Sequence, residues 1–310
     1  MKIVFMGTPE AAATSLSRLL ADGHEVVGAY TQPDRPSGRG KKLIHSPVKQ
    51  LAVEAGIPLF QPVKLKTEEA LSDFKSLEAE VAVVVAYGRI LPAGFLNAFP
   101  YGAINLHFSL LPKYRGAAPV NWAIVNGETR TGVTTMKMDA GLDTGDILMQ
   151  RETHIGHDET SIELMLRLSE LGADLLSETL DSIDVIEPRK QDDSAATYAP
   201  ILHKEDGRID WEMNADEVAR RIRGFQPFPT AFTYFNEKKL TIWKAHEGSS
   251  LEDTEQKEPG TIVAVKGGEI AVQCRDSILY IDELQIEGKR RMAAREFLNG
   301  HNIKMGLILG

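Results

Sequence analysis

Residues 81–86, Val-Ala-Val-Val-Val-Ala, form an unbroken apolar run rich in β-branched side chains. A run this short, apolar on both alternating faces, predicts a strand covered on both sides, the pattern of a parallel sheet and not of a half-solvated one. Two similar runs precede it, Ile3–Met6 and Val26–Tyr30. Each is followed by a helical segment, Glu10–Leu20 and Pro47–Ala55. Strands alternating with helices predict an α/β domain with a doubly wound, mostly parallel, Rossmann-like sheet over the first 150 residues.

The remainder divides by pattern. A long helix is expected from Thr160, where Thr160 and Glu163 have capping-box spacing and Met165, Leu168, Leu171, Leu175 and Leu176 recur at helical intervals. Periodicity fades across residues 184–207, where Pro188, Asp192, Asp193, Ser194 and Pro200 gather. A helix at Ala215–Arg223 then leads to Phe225-Gln-Pro-Phe-Pro229 and to short alternating segments at Ala231–Phe235, Leu240–Ala245, Gly260–Val265, Ile270–Gln273 and Ile278–Leu284. Short strands separated by Gly-rich turns predict a small β-barrel. The expected domains are 1–189, a linker at 190–206, and 207–310.

Composition narrows the setting. The 310 residues carry a net charge of -9, so no global positive field draws the chain to nucleic acid. Residues 206–310 are nearly balanced, with 15 Lys and Arg against 17 Asp and Glu. Local basic clusters remain at Lys238-Lys239 and at Lys289-Arg290-Arg291 with Arg295. The single cysteine, Cys274, excludes an intramolecular disulfide and a cysteine-rich metal site. The apolar start is too short for a signal peptide, and no stretch has the roughly 18 apolar residues of a membrane helix. A cytoplasmic protein without membrane association is expected.

Two segments hold polar residues that packing alone explains poorly. In Asn105-Leu-His107-Phe-Ser109-Leu110-Leu111-Pro112, a strand would set Ile104 and Leu106 on one face and Asn105 and His107 on the other. Polar side chains near a strand's carboxyl end in a doubly wound sheet point to the ligand crevice at that edge. A core histidine with satisfied hydrogen bonds is the structural alternative for His107 taken alone. In Asp139-Ala-Gly-Leu-Asp143-Thr-Gly-Asp146, Asx-turns account for Asp139 and Asp146, whereas Asp143 can aim a carboxylate into the same crevice. A carboxylate beside a histidine favours its charged form and orients the ring. An amide donor, a proton carrier and an orienting base suit acyl-type transfer.

Other motifs carry less. Gly7-Thr-Pro-Glu10 places Pro and Glu where a dinucleotide fingerprint needs glycines, and no Walker A pattern occurs. His154, His157 and Glu159 precede a helix instead of lying on one, so no metal is expected. Residues 32–42, with prolines, glycines, Arg35, Arg39, Lys41 and Lys42, read as a mobile basic loop.

The runs MKIVFMGTPE, NLHFSLLPKYRGAAPVNWAI, GVTTMKMDAGLDTGDIL and FQPFPTAF together resemble the folate-dependent formyltransferases, in particular the branch that formylates the methionine of initiator tRNA. The resemblance spans essentially the whole chain. It implies 10-formyltetrahydrofolate as co-substrate, initiator methionyl-tRNA as partner, a monomer, and a role in translation initiation. On this resemblance Asn105, His107 and Asp143 fall on the family's catalytic triad. Ser109, Leu110, Leu111 and Pro112 fall on a segment that contacts the folate, and Arg89, Ile90 and Leu91 on a stretch lining the pteridine pocket. Arg39, Lys41 and Lys42 fall on an insertion that meets the tRNA acceptor end, and the C-terminal domain is expected to be an OB-like barrel that holds the tRNA. Three rivals stay open: a formyltransferase or hydrolase acting on a small substrate, a non-catalytic RNA-binding protein, and an NAD(P)-dependent oxidoreductase.

Overall fold

The structure, a computed structural model, describes residues 1–37, 42–248, 256–266, 268–301 and 303–310. The chain divides into two compact units, one of residues 1–119, 130–154 and 165–199, the other of residues 120–129, 155–164 and 200–310. In chain order the strands and helices up to residue 199 are β1 (Lys2–Gly7), α1 (Glu10–Ala21), β2 (Glu25–Tyr30), β3 (Arg35–Ser37), β4 (Lys42–Ile44), α2 (Pro47–Glu54), β5 (Leu59–Phe60), α3 (Glu68–Lys75), β6 (Val81–Val85), α4 (Ala93–Leu96), β7 (Ala103–His107), β8 (Arg115–Gly116), α5 (Pro119–Val125), β9 (Arg130–Lys137), β10 (Ile147–His154), α6 (Ser161–Asp181) and β11 (Tyr198–Ala199).

The main sheet of the first unit has the order β10-β9-β7-β6-β1-β2-β5. Strands β7, β6, β1, β2 and β5 run parallel, as the continuous apolar runs predict, while β9 and β10 add an antiparallel edge. The order reverses between β1 and β6, which puts the crevice of a doubly wound sheet at the carboxyl ends of β1, β6 and β7. Gly7 ends β1 because a Cβ there would lie 2.6 Å from the Ala12 side chain and 2.8 Å from the Val85 carbonyl oxygen. This one glycine allows the close strand–helix turn that a full dinucleotide fingerprint usually marks. Val4, Met6, Tyr30, Phe74, Val84, Phe95 and Ala103 pack into one apolar cluster.

Residues 32–42 are not simply a loop, because β3 pairs antiparallel with β4 as a short hairpin. At its base the Asp34 carboxylate accepts hydrogen bonds from Lys49 Nζ and from Gln61 Nε2, the latter at 3.2 Å. Bonding to Lys49, then to Gln61 and His45, holds the Asp34 carboxyl down at about 2. The cap expected at Thr160 is present. The Thr160 backbone N–H donates to Glu163 Oε2 at 2.8 Å, and the Glu163 N–H donates to Thr160 Oγ1 at 3.3 Å. In α6, Leu164, Leu168, Leu175 and Leu176 are buried.

The second unit continues with α7 (Ala215–Gly224), β12 (Ala231–Phe235), β13 (Lys238–Gly248), β14 (Ile262–Lys266), β15 (Glu269–Gln273), β16 (Ile278–Ile286), β17 (Met292–Ala293) and α8 (Ala294–Gly300). Five of the strands form an antiparallel sheet of order β12-β13-β16-β15-β14, and β17 pairs with β16. Trp211, Val218, Ile222, Phe235, Leu240, Leu279, Leu284 and Phe297 fill its core. Among the described residues no strand ladder joins β14 directly to β12. Residues 307–310 bridge the two edges instead: Ile262 N–H donates to Leu307 O at 2.7 Å, and Gly310 N–H to Tyr234 O at 3.2 Å. The sheet expected of the barrel is thus present, and its two edges are joined through this short segment instead of by a direct ladder. Two of the basic clusters rest on aromatic rings. Lys239 Nζ lies 4.0 Å from the Phe232 ring centre, and the Arg291 guanidinium 5.0 Å from that of Trp243.

Candidate active site

Strand β7 sets the site. Its register places Asn105 between Val84 of β6 and Met136 of β9, and His107 opposite Thr134. Ile104 and Leu106 are buried on one face, so the strand period turns Asn105 and His107 to the other. His107 is 6% exposed. Its Nε2 donates to the Tyr114 carbonyl at 2.9 Å, which commits a proton to that nitrogen. The second nitrogen, Nδ1, lies 3.7 Å from Asp143 Oδ2. That separation is beyond a hydrogen bond but within direct charge contact. With Nε2–H engaged, Nδ1 can donate only when the ring is the imidazolium, and is otherwise an acceptor. Asn105 Oδ1 is buried and has no hydrogen-bond partner among the described residues.

Asp143 reaches this position through an unusual backbone, with φ at +53° in the left-handed region. Its Oδ2 accepts the Gly116 N–H at 2.7 Å. The Asx-turn expected around Asp139 is present, since its Oδ1 accepts from the Gly141 N–H at 3.0 Å and the Thr144 hydroxyl at 2.7 Å. The segment after β7 is clamped by β9 and β10. Thr134 Oγ1 donates to Ser109 O at 2.6 Å and accepts from the Leu111 N–H at 3.2 Å, while Gln150 Nε2 donates to Leu111 O at 2.9 Å. The Leu111–Pro112 peptide bond is cis. The Ser109 hydroxyl donates to Lys113 O at 2.6 Å, and Ser109 and Leu111 are buried, leaving Leu110 and Pro112 half-buried.

The other named residues separate by environment. The Arg89 guanidinium donates to Gln32 Oε1 at 3.1 Å and to the carbonyls of Pro62 and Val63, each at 2.9 Å, so it ties neighbouring loops together. Ile90 is 84% exposed, while Leu91 is part of the apolar cluster under the sheet. The buried Tyr87 hydroxyl has no partner among the described residues, and desolvation raises its phenol above the ordinary range. Arg39 and Lys41 lie outside the described residues, and Lys42 opens β4. Among the described residues no three His, Cys, Asp or Glu side chains gather into a metal-holding group, and no helix is long and apolar enough to cross a membrane.

Sequence reasoning missed the groups that hold His107, Asp143 and the segment after β7: the Tyr114 carbonyl, the Gly116 N–H, Thr134, Arg115 and Gln191. Three of these act through backbone atoms or a hydroxyl that no residue pattern marks. Arg115, which the fold buries to 2% exposure, reads in the sequence like any surface cation. Gln191 lies where periodicity is lost and carried none.

The formyl transferase family profile matches residues 1–180, and its C-terminal domain profile matches residues 201–302. The chain belongs to the formyl transferase family. A relative from Caldanaerobacter subterraneus subsp. tengcongensis, named methionyl-tRNA formyltransferase, is 49% identical across all of both chains. Another of that name from Geobacter metallireducens is 47% identical over all of this chain and 99% of its own. Among solved structures, the N-formyltransferase of Helicobacter canadensis, in complex with folinic acid and dTDP-3-aminofucose, superposes with a TM-score of 0.67 at 19% identity over 94% of this chain and all of that one. HypX of Aquifex aeolicus in complex with tetrahydrofolic acid gives 0.66 at 16% identity over 96% of this chain and 47% of its own. At these identities the two structures speak for the fold of this formyltransferase alone.

Proposed function

We propose that this formyltransferase moves the formyl group of 10-formyltetrahydrofolate to the α-amine of methionine carried by initiator tRNA. The observation that carries the reading is the His107 ring, with Nε2 committed to the Tyr114 carbonyl and Nδ1 facing Asp143 at 3.7 Å. An imidazolium so held can donate from Nδ1 to the oxygen that gains charge when an amine attacks a formyl carbon, and Asn105 supplies a second donor through its amide NH2. The unpartnered Asn105 Oδ1 fits the same event, because an attacking amine brings N–H groups that a buried acceptor lacks. Asp143 balances the charge on His107 and takes part in moving the amine's proton towards the folate nitrogen that leaves. Aligning two bound substrates can supply roughly 7–11 kcal/mol, so placement contributes on the scale of the triad itself.

In this reading residues 1–189 hold the folate, through Arg89, Ile90, Leu91 and the 109–112 segment, and residues 207–310 hold the tRNA beyond a linker at 190–206. Arg39, Lys41 and Lys42 meet the acceptor-end phosphates. The enzyme acts as a cytoplasmic monomer. Support for the tRNA substrate over a small amine comes from full-length relatives named methionyl-tRNA formyltransferase, at 47% and 49% identity.

The test mixes purified protein with formyl-folate and methionyl initiator tRNA and follows acid-stable formylation of the amino acid. Transfer by the wild type that His107→Asn loses while still binding tRNA is the expected result. Turnover of a small amine or of water, with none on tRNA, would reject the tRNA substrate.

A further inference from the structure

The Asp143 carboxylate is aimed by a backbone that is costly to hold. The residue sits at φ +53°. A non-glycine residue in this region is stable only where its surroundings impose the conformation. One side chain supplies much of that constraint. Gln191 Nε2 donates to Asp143 O at 2.8 Å and to Gly145 O at 2.7 Å, spanning the turn with both of its amide protons. Its Oε1 is held in turn by Arg115, whose Nε and Nη2 donate at 3.1 and 2.9 Å. Arg115 also pairs with Asp193 at 2.7 Å, and its backbone N–H donates to Thr197 O at 2.9 Å. The residue after it, Gly116, is the one whose N–H binds the Asp143 carboxylate. Strand β8 therefore grips the same turn twice, at the carboxylate through Gly116 and at the carbonyls through Arg115 and Gln191. The far side of the turn is equally tight, since a Cβ on Gly145 would fall 1.8 Å from Lys137 O.

We infer that Gln191, oriented by Arg115, is a positioning residue for the transfer reaction, setting the distance between Asp143 and His107 without touching either substrate. The inference rests on the proposed role of Asp143. Gln191 is suited to this work because an amide can accept from a buried guanidinium at one end and donate to two carbonyls at the other. Neither a carboxylate nor an ammonium can do both.

The variant Gln191→Met keeps the length and removes all four bonds. A displacement of about an ångström at a catalytic group can cost ~100-fold in rate, so kcat is expected to fall by ~10- to ~100-fold. KM for formyl-folate and for methionyl-tRNA should stay within about 2-fold, because no substrate contact is lost. Gln191→Glu, which still accepts from Arg115 (now as an ion pair) but cannot donate to the two carbonyls, should show a similar kcat loss. It thereby serves if the methionine variant folds poorly. The decisive comparison is a double-mutant cycle with Asp143→Asn. If Gln191 acts through Asp143, Gln191→Met should change kcat by less than about 2-fold in the Asp143→Asn background. An undiminished loss in that background would overturn the inference and leave the triad intact, as would wild-type kcat in both Gln191 variants. Wild-type kcat in Asp143→Asn alone would instead reject the role of Asp143 itself.

Discussion

Replacing Asp143 by asparagine removes one charge and almost nothing else. The asparagine carbonyl can still accept the Gly116 N–H that the carboxylate accepts at 2.7 Å, and the Gln191 bonds reach backbone atoms that the substitution leaves in place. What disappears is the attraction that the carboxylate, 3.7 Å away, exerts on the ring whenever it is an imidazolium. At an effective dielectric constant of about 20 that attraction is about 4.5 kcal/mol, and at the value for bulk water about 1 kcal/mol. The His107 and Asp143 side chains are 7% and 16% exposed, which puts the pair nearer the first limit. Each ~1.36 kcal/mol is about a factor of ten in rate, so kcat should fall ~10²- to ~10³-fold if His107 is charged in the transition state. Single-turnover formylation of methionyl-tRNA at saturating formyl-folate reads this step directly. Thermal melting should show the variant within about 2 °C of wild type, because a near-isosteric change that keeps its hydrogen bond falls among the small effects. A rate within about 5-fold of wild type in a folded variant would refute the charge argument, leaving His107 as a neutral or merely structural ring.

Two further expectations follow from the same structure. The Asp34 carboxyl is held down at about 2 by Lys49, Gln61 and His45. Its contribution to stability is therefore complete above the unfolded value of about 3.9 and is lost as pH falls towards the folded one. Urea midpoints followed across the acid range should decline less steeply in Asp34→Asn than in wild type, and parallel curves would contradict the assignment. Burial pushes the Cys274 thiol up to about 12, against an ordinary value near 9. Its thiolate fraction in mildly alkaline buffer is thus ~1000-fold below that of an exposed cysteine. Labelling by an aromatic disulfide reagent should be slow in the native enzyme and immediate in denaturant, and rapid native labelling would show that the second unit opens around β15.

Legibility differed between the parts of this protein for identifiable reasons. Strands β1, β2 and β6 could be read because burial on both faces leaves a continuous apolar run. The antiparallel edge strands β9 and β10 escaped notice because their alternation is diluted by Thr, Met and Gln. The 32–42 segment reads as a loop by its glycines and prolines, yet β3 and β4 pair across it, since a hairpin this short needs only a few ladder bonds and an anchor at Asp34. The barrel was legible as strands but not in its closure, which depends on backbone bonds made by residues 306–310 with no pattern of their own.

The sequence alone determined the class of sheet, the helix cap at Thr160, and the pairing of Asn105 with His107 on one strand face, because these follow from periods of two and 3.6 residues acting over short distances. It also marked Asp143 as a candidate, through its motif. Only the tertiary structure decided how those residues are held. His107 has one nitrogen spent on the Tyr114 carbonyl and the other turned to Asp143, and Asp143 is aimed by Gly116, Arg115 and Gln191 from segments 27 to 48 residues away. Such bonds use carbonyls, N–H groups and amides that every stretch of chain possesses. Their partners are chosen by where the fold brings the backbone, and no local pattern of side chains records that choice.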